Sequence, residues 1–142
     1  MILMKMTQPP TSLRISKENT MGARINFVFK DSEPAIGEPS AYVVLYSHWG
    51  QDDWQRDIAG ALEHAKPRWG DASYGTRMMV SYLIQHNVMD ETGFGLYAIN
   101  GTNYDLGEQT VVIDFTNQTV TDIHPVKWDA FIQAYNPQLI TN

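Results

Sequence analysis

Apolar and polar residues alternate near the start of the folded part of this chain. In Ala23–Asp31 (ARINFVFKD), Ile25, Phe27 and Phe29 oppose Asn26, Val28 and Lys30, which predicts a strand with one buried face. The turn-rich stretch Ser32–Ser40 separates it from Ala41–Trp49 (AYVVLYSHW), whose unbroken apolar centre suits a middle strand buried on both faces. Alternation sets Tyr42, Val44, Tyr46 and His48 on one face and Val43, Leu45, Ser47 and Trp49 on the other.

The period then lengthens to that of a helix. Trp54, Ile58, Ala61 and Leu62 form one apolar stripe, with Asp52 or Asp53 placed to cap its start and Pro67 near its end. A second helix begins at Asp71 or Ser73, either of which can cap it. Met78, Tyr82 and His86 align along this helix, with Met79, Leu83 and Val88 beside them, so both stripes are expected to point inward. Asp90 and Gly93 mark a turn, and Leu96–Ile99 reads as a strand. Val111–Phe115 and Thr119–Ile123 form a hairpin through Asn117 and Gln118. A short helix after Pro125 carries Trp128, Phe131 and Ile132.

The order β-β-α-α-β-β-β-α defines an α+β domain: a mainly antiparallel sheet, two central helices on one face, and a short C-terminal helix. Strand order is not legible. Residues 1–20, with Pro9-Pro10 and many Ser, Thr, Lys and Asn, read as a flexible leader to a single domain over residues 21–142. Met21-Gly22 would serve equally as a start.

Composition narrows the function classes. A net charge of −6, with only ten scattered Lys and Arg, argues against a broad nucleic-acid surface. The absence of cysteine removes disulfides, thiol catalysis and thiolate metal sites. No apolar run approaches the ~20 residues of a membrane span, and the N-terminal MILMKM does not make a signal peptide. A cytoplasmic protein is expected, in which the sequons at Asn100 and Asn117 carry no meaning.

Two clusters invite chemistry. In YSHWGQDD, His48 could act as a base or ligand oriented by Asp52 or Asp53, although those aspartates are explained as well by helix capping. The four histidines show no metal-ligand spacing, so no metal or other cofactor is expected. Trp49 is expected to pack between sheet and helix, and Gly50 to reverse the chain through a positive φ. In RWGDASYGTR, Arg77 shares a helix face with Tyr74 near the positive end of the helix, where it could clamp an anion. Arg68 could stack on Trp69 or bind a flat ligand. Phosphate loops, dinucleotide fingerprints and a nucleophile elbow are all missing.

These motifs, in this order, resemble those of small, mostly uncharacterised proteins carried by bacteriophages and some bacteria. The likeness runs from Met21-Gly22-Ala23-Arg24 through YSHWG, RWGDASYGTR and ETGFGLY to VVIDFTNQTV, roughly residues 21–120. It departs at Gln51, where such proteins often carry a second glycine, and in the first twenty residues. The resemblance implies an accessory, counter-defence role on host machinery, which is an argument from likeness.

The first reading is therefore a phage accessory protein that binds a host protein or a small anionic, nucleotide-like ligand without catalysis. Its contact residues would be Tyr46, His48, Trp49, Arg68, Trp69, Tyr74 and Arg77. The alternatives are a small hydrolase or nuclease using His48 with Asp52 or Asp53, and a virion or assembly component that forms a homo-oligomer.

Overall fold

A computed structural model describes residues 23–31, 41–100 and 106–136. The expected leader and the Ser32–Ser40 connection lie outside the described residues. Along the chain come β1 (Ile25–Lys30), β2 (Ala41–Ser47), α1 (Trp54–His64), a 3-10 turn (Lys66–Arg68), α2 (Ala72–Ile84), β3 (Phe94–Asn100), β4 (Gln109–Asp114), β5 (Thr119–Thr121), β6 (Pro125–Lys127) and α3 (Trp128–Tyr135).

The strands form one sheet in the order β3-β2-β1-β4-β5-β6. Every neighbouring pair is antiparallel except β1 with β4. This is the mixed, mostly antiparallel α+β architecture that the pattern predicts, with one strand more. That extra strand, β6, is the stretch from Pro125 to Lys127. Proline's fixed φ of about −65° suits extended backbone there, and the helix starts only at Trp128.

β1 corrects its own pattern. It was expected to bury one face, yet Asn26 and Val28 are as inaccessible as Ile25, Phe27 and Phe29, because β2 and β4 flank it. Ile25, Phe27, Phe29, Leu45, Val111 and Ile113 face the helices. Trp54, Ile58 and Leu62 of α1, Met79 of α2, and Trp128, Phe131 and Ile132 of α3 close the main core against them. α1 lies between α2 and α3, with Trp54 stacked on Phe131 at 5.8 Å, so the C-terminal helix completes a three-helix layer. Val28, Tyr42 and Val44 form a second cluster on the other face, capped by Leu106 from the β3–β4 connection.

Two boundaries differ from expectation. α2 ends at Ile84, and His86 and Val88 lie beyond it, exposed; within the helix only Gly75 and Met79 are buried. The β4–β5 hairpin turns over four residues, Phe115–Gln118, since Asp114 pairs with Thr119. The Asp114 carboxylate holds this turn, accepting from the Asn117 backbone N–H and side-chain amide, both at 3.0 Å. Gln118 takes a φ of 53°.

Candidate functional site

The YSHWG joint lies at the end of the sheet where β2 stops and β1 and β3 begin. Ser47 is in register with Ile25 on one side and Phe94 on the other. The joint is stitched by backbone bonds: the His48 N–H donates to Gly93 O at 2.9 Å, and the Gln51 N–H to Ala23 O at 3.0 Å. Gly50 is needed for a reason other than the one expected. It is not among the positive-φ glycines; instead a side chain there would collide with Ser47 and crowd Ile25 Cγ2 at 3.3 Å. Gly93 does take a positive φ, 106°, and a Cβ there would lie 3.5 Å from the Trp49 ring.

Trp49 overturns the packing expectation: it is 61% exposed. β2 ends at Ser47, and the bend at His48 and Trp49 carries the indole out of the strand. It stands edge-on to the His48 ring at 4.6 Å, over the rim of a cleft of about 340 Å³. Phe27, Phe94 and Leu83 form the apolar wall of that cleft, and Ser47, Asp57, Asn87, Asp90 and Thr92 add polar groups. Asn87 Nδ2 donates to Asp90 Oδ2 at 2.9 Å. Asp57 has no ion pair among the described residues. Partial burial and then Asp53 push its pKa up, with Arg56 opposing.

On the opposite face of the sheet, the Tyr46 hydroxyl and His48 Nδ1 are 2.7 Å apart. Burial lowers the His48 pKa and the charge of Arg24 lowers it further. Tyr97 OH donates to the buried Asn26 Oδ1 at 2.9 Å, while Arg24 reaches Glu108 at 3.9 Å and its buried Nε has no hydrogen-bond partner among the described residues. The hydrolase arrangement would put a carboxylate on His48, whereas its Nδ1 meets the Tyr46 hydroxyl. Among the described residues, no group of three His, Cys, Asp or Glu could hold a metal ion.

The RWGDASYGTR segment lies at the other end of the helix pair, because α1 runs away from the joint for eleven residues, roughly 16 Å of helix. There Asp71 caps α2, accepting from the Tyr74 N–H at 3.1 Å. Asp53, at the cap position of α1, makes no such side-chain bond. The Trp69 indole N–H donates to Leu62 O at 2.9 Å and its ring meets Trp128 at 5.0 Å, so this residue belongs to the packing. Arg68 stacks on Tyr74 at 4.7 Å, where stacking on Trp69 or binding of a flat ligand was the expectation, and lies 3.9 Å from Asp71; Lys66 is the cation over Trp69. Arg77 is exposed and turns along the helix to Ser81 Oγ at 3.3 Å.

The seven residues singled out from sequence thus form two groups. Tyr46, His48 and Trp49 meet at one end; Arg68, Trp69, Tyr74 and Arg77 gather at the other. Sequence reasoning missed Asp57, Asn87, Asp90 and Thr92. Asp57 left a faint signal: three residues after Trp54 and four before Ala61, it edges the apolar stripe of α1.

Comparison with known proteins adds no identity. No protein-family model matches the chain, and no curated protein or solved structure does. Among the described residues, no helix is long and apolar enough to cross a membrane.

Proposed function

We propose that the protein is a non-catalytic binding protein that grips a partner protein at the Trp49 end of its sheet. Trp49 is the anchor, and Asp57 and Asp90 receive a basic side chain of the partner. The observation that supports this reading is the exposed indole at the rim of an acidic cleft. Tryptophan is enriched at interface positions that dominate affinity. An ammonium or guanidinium group set against the indole face and beside a carboxylate gains from both. Asp57 has no ion pair among the described residues, and its pKa stays raised despite the opposing charge of Arg56, so a partner cation there would relieve the unfavourable burial of its charge.

An anionic ligand at Arg77 draws less support. The Asp71 carboxylate already occupies the N-terminus of α2, and Arg68 and Arg77 bond to groups of the chain itself. The resemblance to phage-carried proteins makes a component of the bacterial host, met in its cytoplasm, the partner we infer, with counter-defence as the role.

The test is affinity capture from bacterial lysate with the full chain, Trp49→Ala and Arg77→Ala in parallel. Trp49→Ala should leave the melting temperature nearly unchanged yet weaken capture by about 2 kcal/mol or more, roughly thirty-fold in Kd. Arg77→Ala should retain the partner. Equal capture by wild type and Trp49→Ala, or loss with Arg77→Ala alone, would move the site to the other end of the helices.

A further inference from the structure

The sheet has two unequal edges among the described residues. β6 is three residues long and begins with Pro125, which has no N–H to offer a new strand. β3, at the other edge, runs seven residues, FGLYAIN, without a charge or a proline. Natural sheets guard such edges with lysine, proline, bulges or a covering element. β3 pairs residue for residue with β2 from Phe94 to Asn100 with no bulge, and among the described residues its principal contact is β2. Leu96 is 63% exposed, and Val43, beside Ala98 on the adjoining strand, is 40% exposed on the same face.

We infer that β3 is a pairing edge for a second copy of this chain, joining two sheets antiparallel across a two-fold axis beside Tyr97. The strand complements its own reverse. About that axis Leu96 meets Ala98 of the other copy and Gly95 meets Ile99, a large side chain opposite a small one on each face, while Tyr97 meets itself. Although the chain carries a net charge of −6, no charged residue lies in β3, so no like charges meet within the paired strands. The exposed parts of Leu96, Val43, Ala98 and Tyr97, with the strand backbone, give on the order of 400 Å² per copy, about half that of a standard interface. The dimer is therefore weak and concentration-dependent. It is independent of the Trp49 cleft reading.

Sedimentation of the full chain between micromolar and near-millimolar concentration tests this. The weight-average mass should rise from 16.1 kDa toward twice that value. Leu96→Lys, which places a charge on the edge at an exposed position, should remain at the monomer mass at all concentrations. Amide exchange on the wild type provides a readout that needs no variant: β3 amides should gain protection as concentration rises. A wild type that stays monomeric overturns the inference and leaves the edge for a strand of another protein. A folded Leu96→Lys that associates as the wild type does overturns it as well.

Discussion

Gly75 offers a direct test of how α2 is seated. In an exposed helix interior, Gly→Ala gains about 1 kcal/mol from helix propensity. Here a Cβ would lie 2.8 Å from the Arg68 carbonyl oxygen, and 2.5 and 3.0 Å from two ring atoms of Phe115. Comfortable carbon contacts start near 3.5 Å, so these neighbours must yield by up to about 1 Å. Neither is free to do so. The Arg68 carbonyl accepts from the Asp71 N–H at 3.1 Å, and Phe115 is buried edge-on against Trp128 at 4.9 Å. Overpacking against two fixed groups costs about 2–3 kcal/mol, which exceeds the propensity gain. Gly75→Ala should therefore destabilise by a net ~1–2 kcal/mol, several degrees in Tm for a domain of this size. Gly60→Ala is the matched control. Its Cβ would also clash, but only with the ring end of Tyr82, a half-buried side chain that can swing aside, so the propensity gain should bring the net change within about 1 kcal/mol of zero. Urea melts followed by circular dichroism, with m-values compared, measure both. Phe115→Leu in the Gly75→Ala background should recover part of the loss. If Gly75→Ala were as stable as wild type, or Gly60→Ala the more damaging, the close seating of α2 on Phe115 would be refuted.

Two further outcomes follow from the caps and from His48. Asp71→Ala removes a side-chain cap bond and should cost ~1 kcal/mol, whereas Asp53→Ala, which removes none, should be nearly silent in the same melts. His48 is held neutral by burial and by Arg24, so its folded pKa lies below the ordinary value of 6.5. Between those two values the unfolded chain binds more protons. The His48 contribution is thus fully present above 6.5 and is lost as pH falls through that window. The fall in Tm from pH 7.5 to pH 5.5 should be smaller for His48→Gln than for wild type; an equal fall would show that His48 titrates alike in both states.

Periodicity located most elements because each buries a face that its own spacing reveals. The α1 stripe was legible residue by residue, and Asp71 was one of two residues placed to cap α2. What escaped depends on neighbours distant in sequence. Asn26 and Val28 look like a solvent face until β2 and β4 flank them and Tyr97 satisfies the Asn26 carbonyl. Val88 and Met89 extend an apolar pattern past Ile84, but the helix stops, and both are exposed. The site was divided for a similar reason. Trp49 and Arg68 flank one helix in sequence, and the length of that helix sets them at opposite ends of the layer. Trp49 itself followed the alternation of β2 on paper, while the bend after Ser47 turned it outward.

The exposed apolar residues gain meaning from where the helix layer stops. α1 lies between α2 and α3 over the sheet, and among the described residues β3 has β2 as its principal contact. Val43, Leu96 and Tyr97 on the β2–β3 side, Trp49 at its end, and Val88 and Met89 in the loop leading into β3 make up six of the ten large exposed apolar side chains among the described residues. Scattered singly they would need no account, but concentrated on one side they are what an interaction surface requires. Asp57 and Asp90 at the cleft oppose indiscriminate association there, since any occupant must answer their charge, whereas the β3 edge has no charge to answer and selects by strand register alone. A basic partner side chain at Trp49 and a second copy at β3 would therefore use adjacent parts of one side under different rules, and salt separates them. Raising ionic strength should weaken capture through the acidic cleft and leave the uncharged edge pairing nearly unaffected.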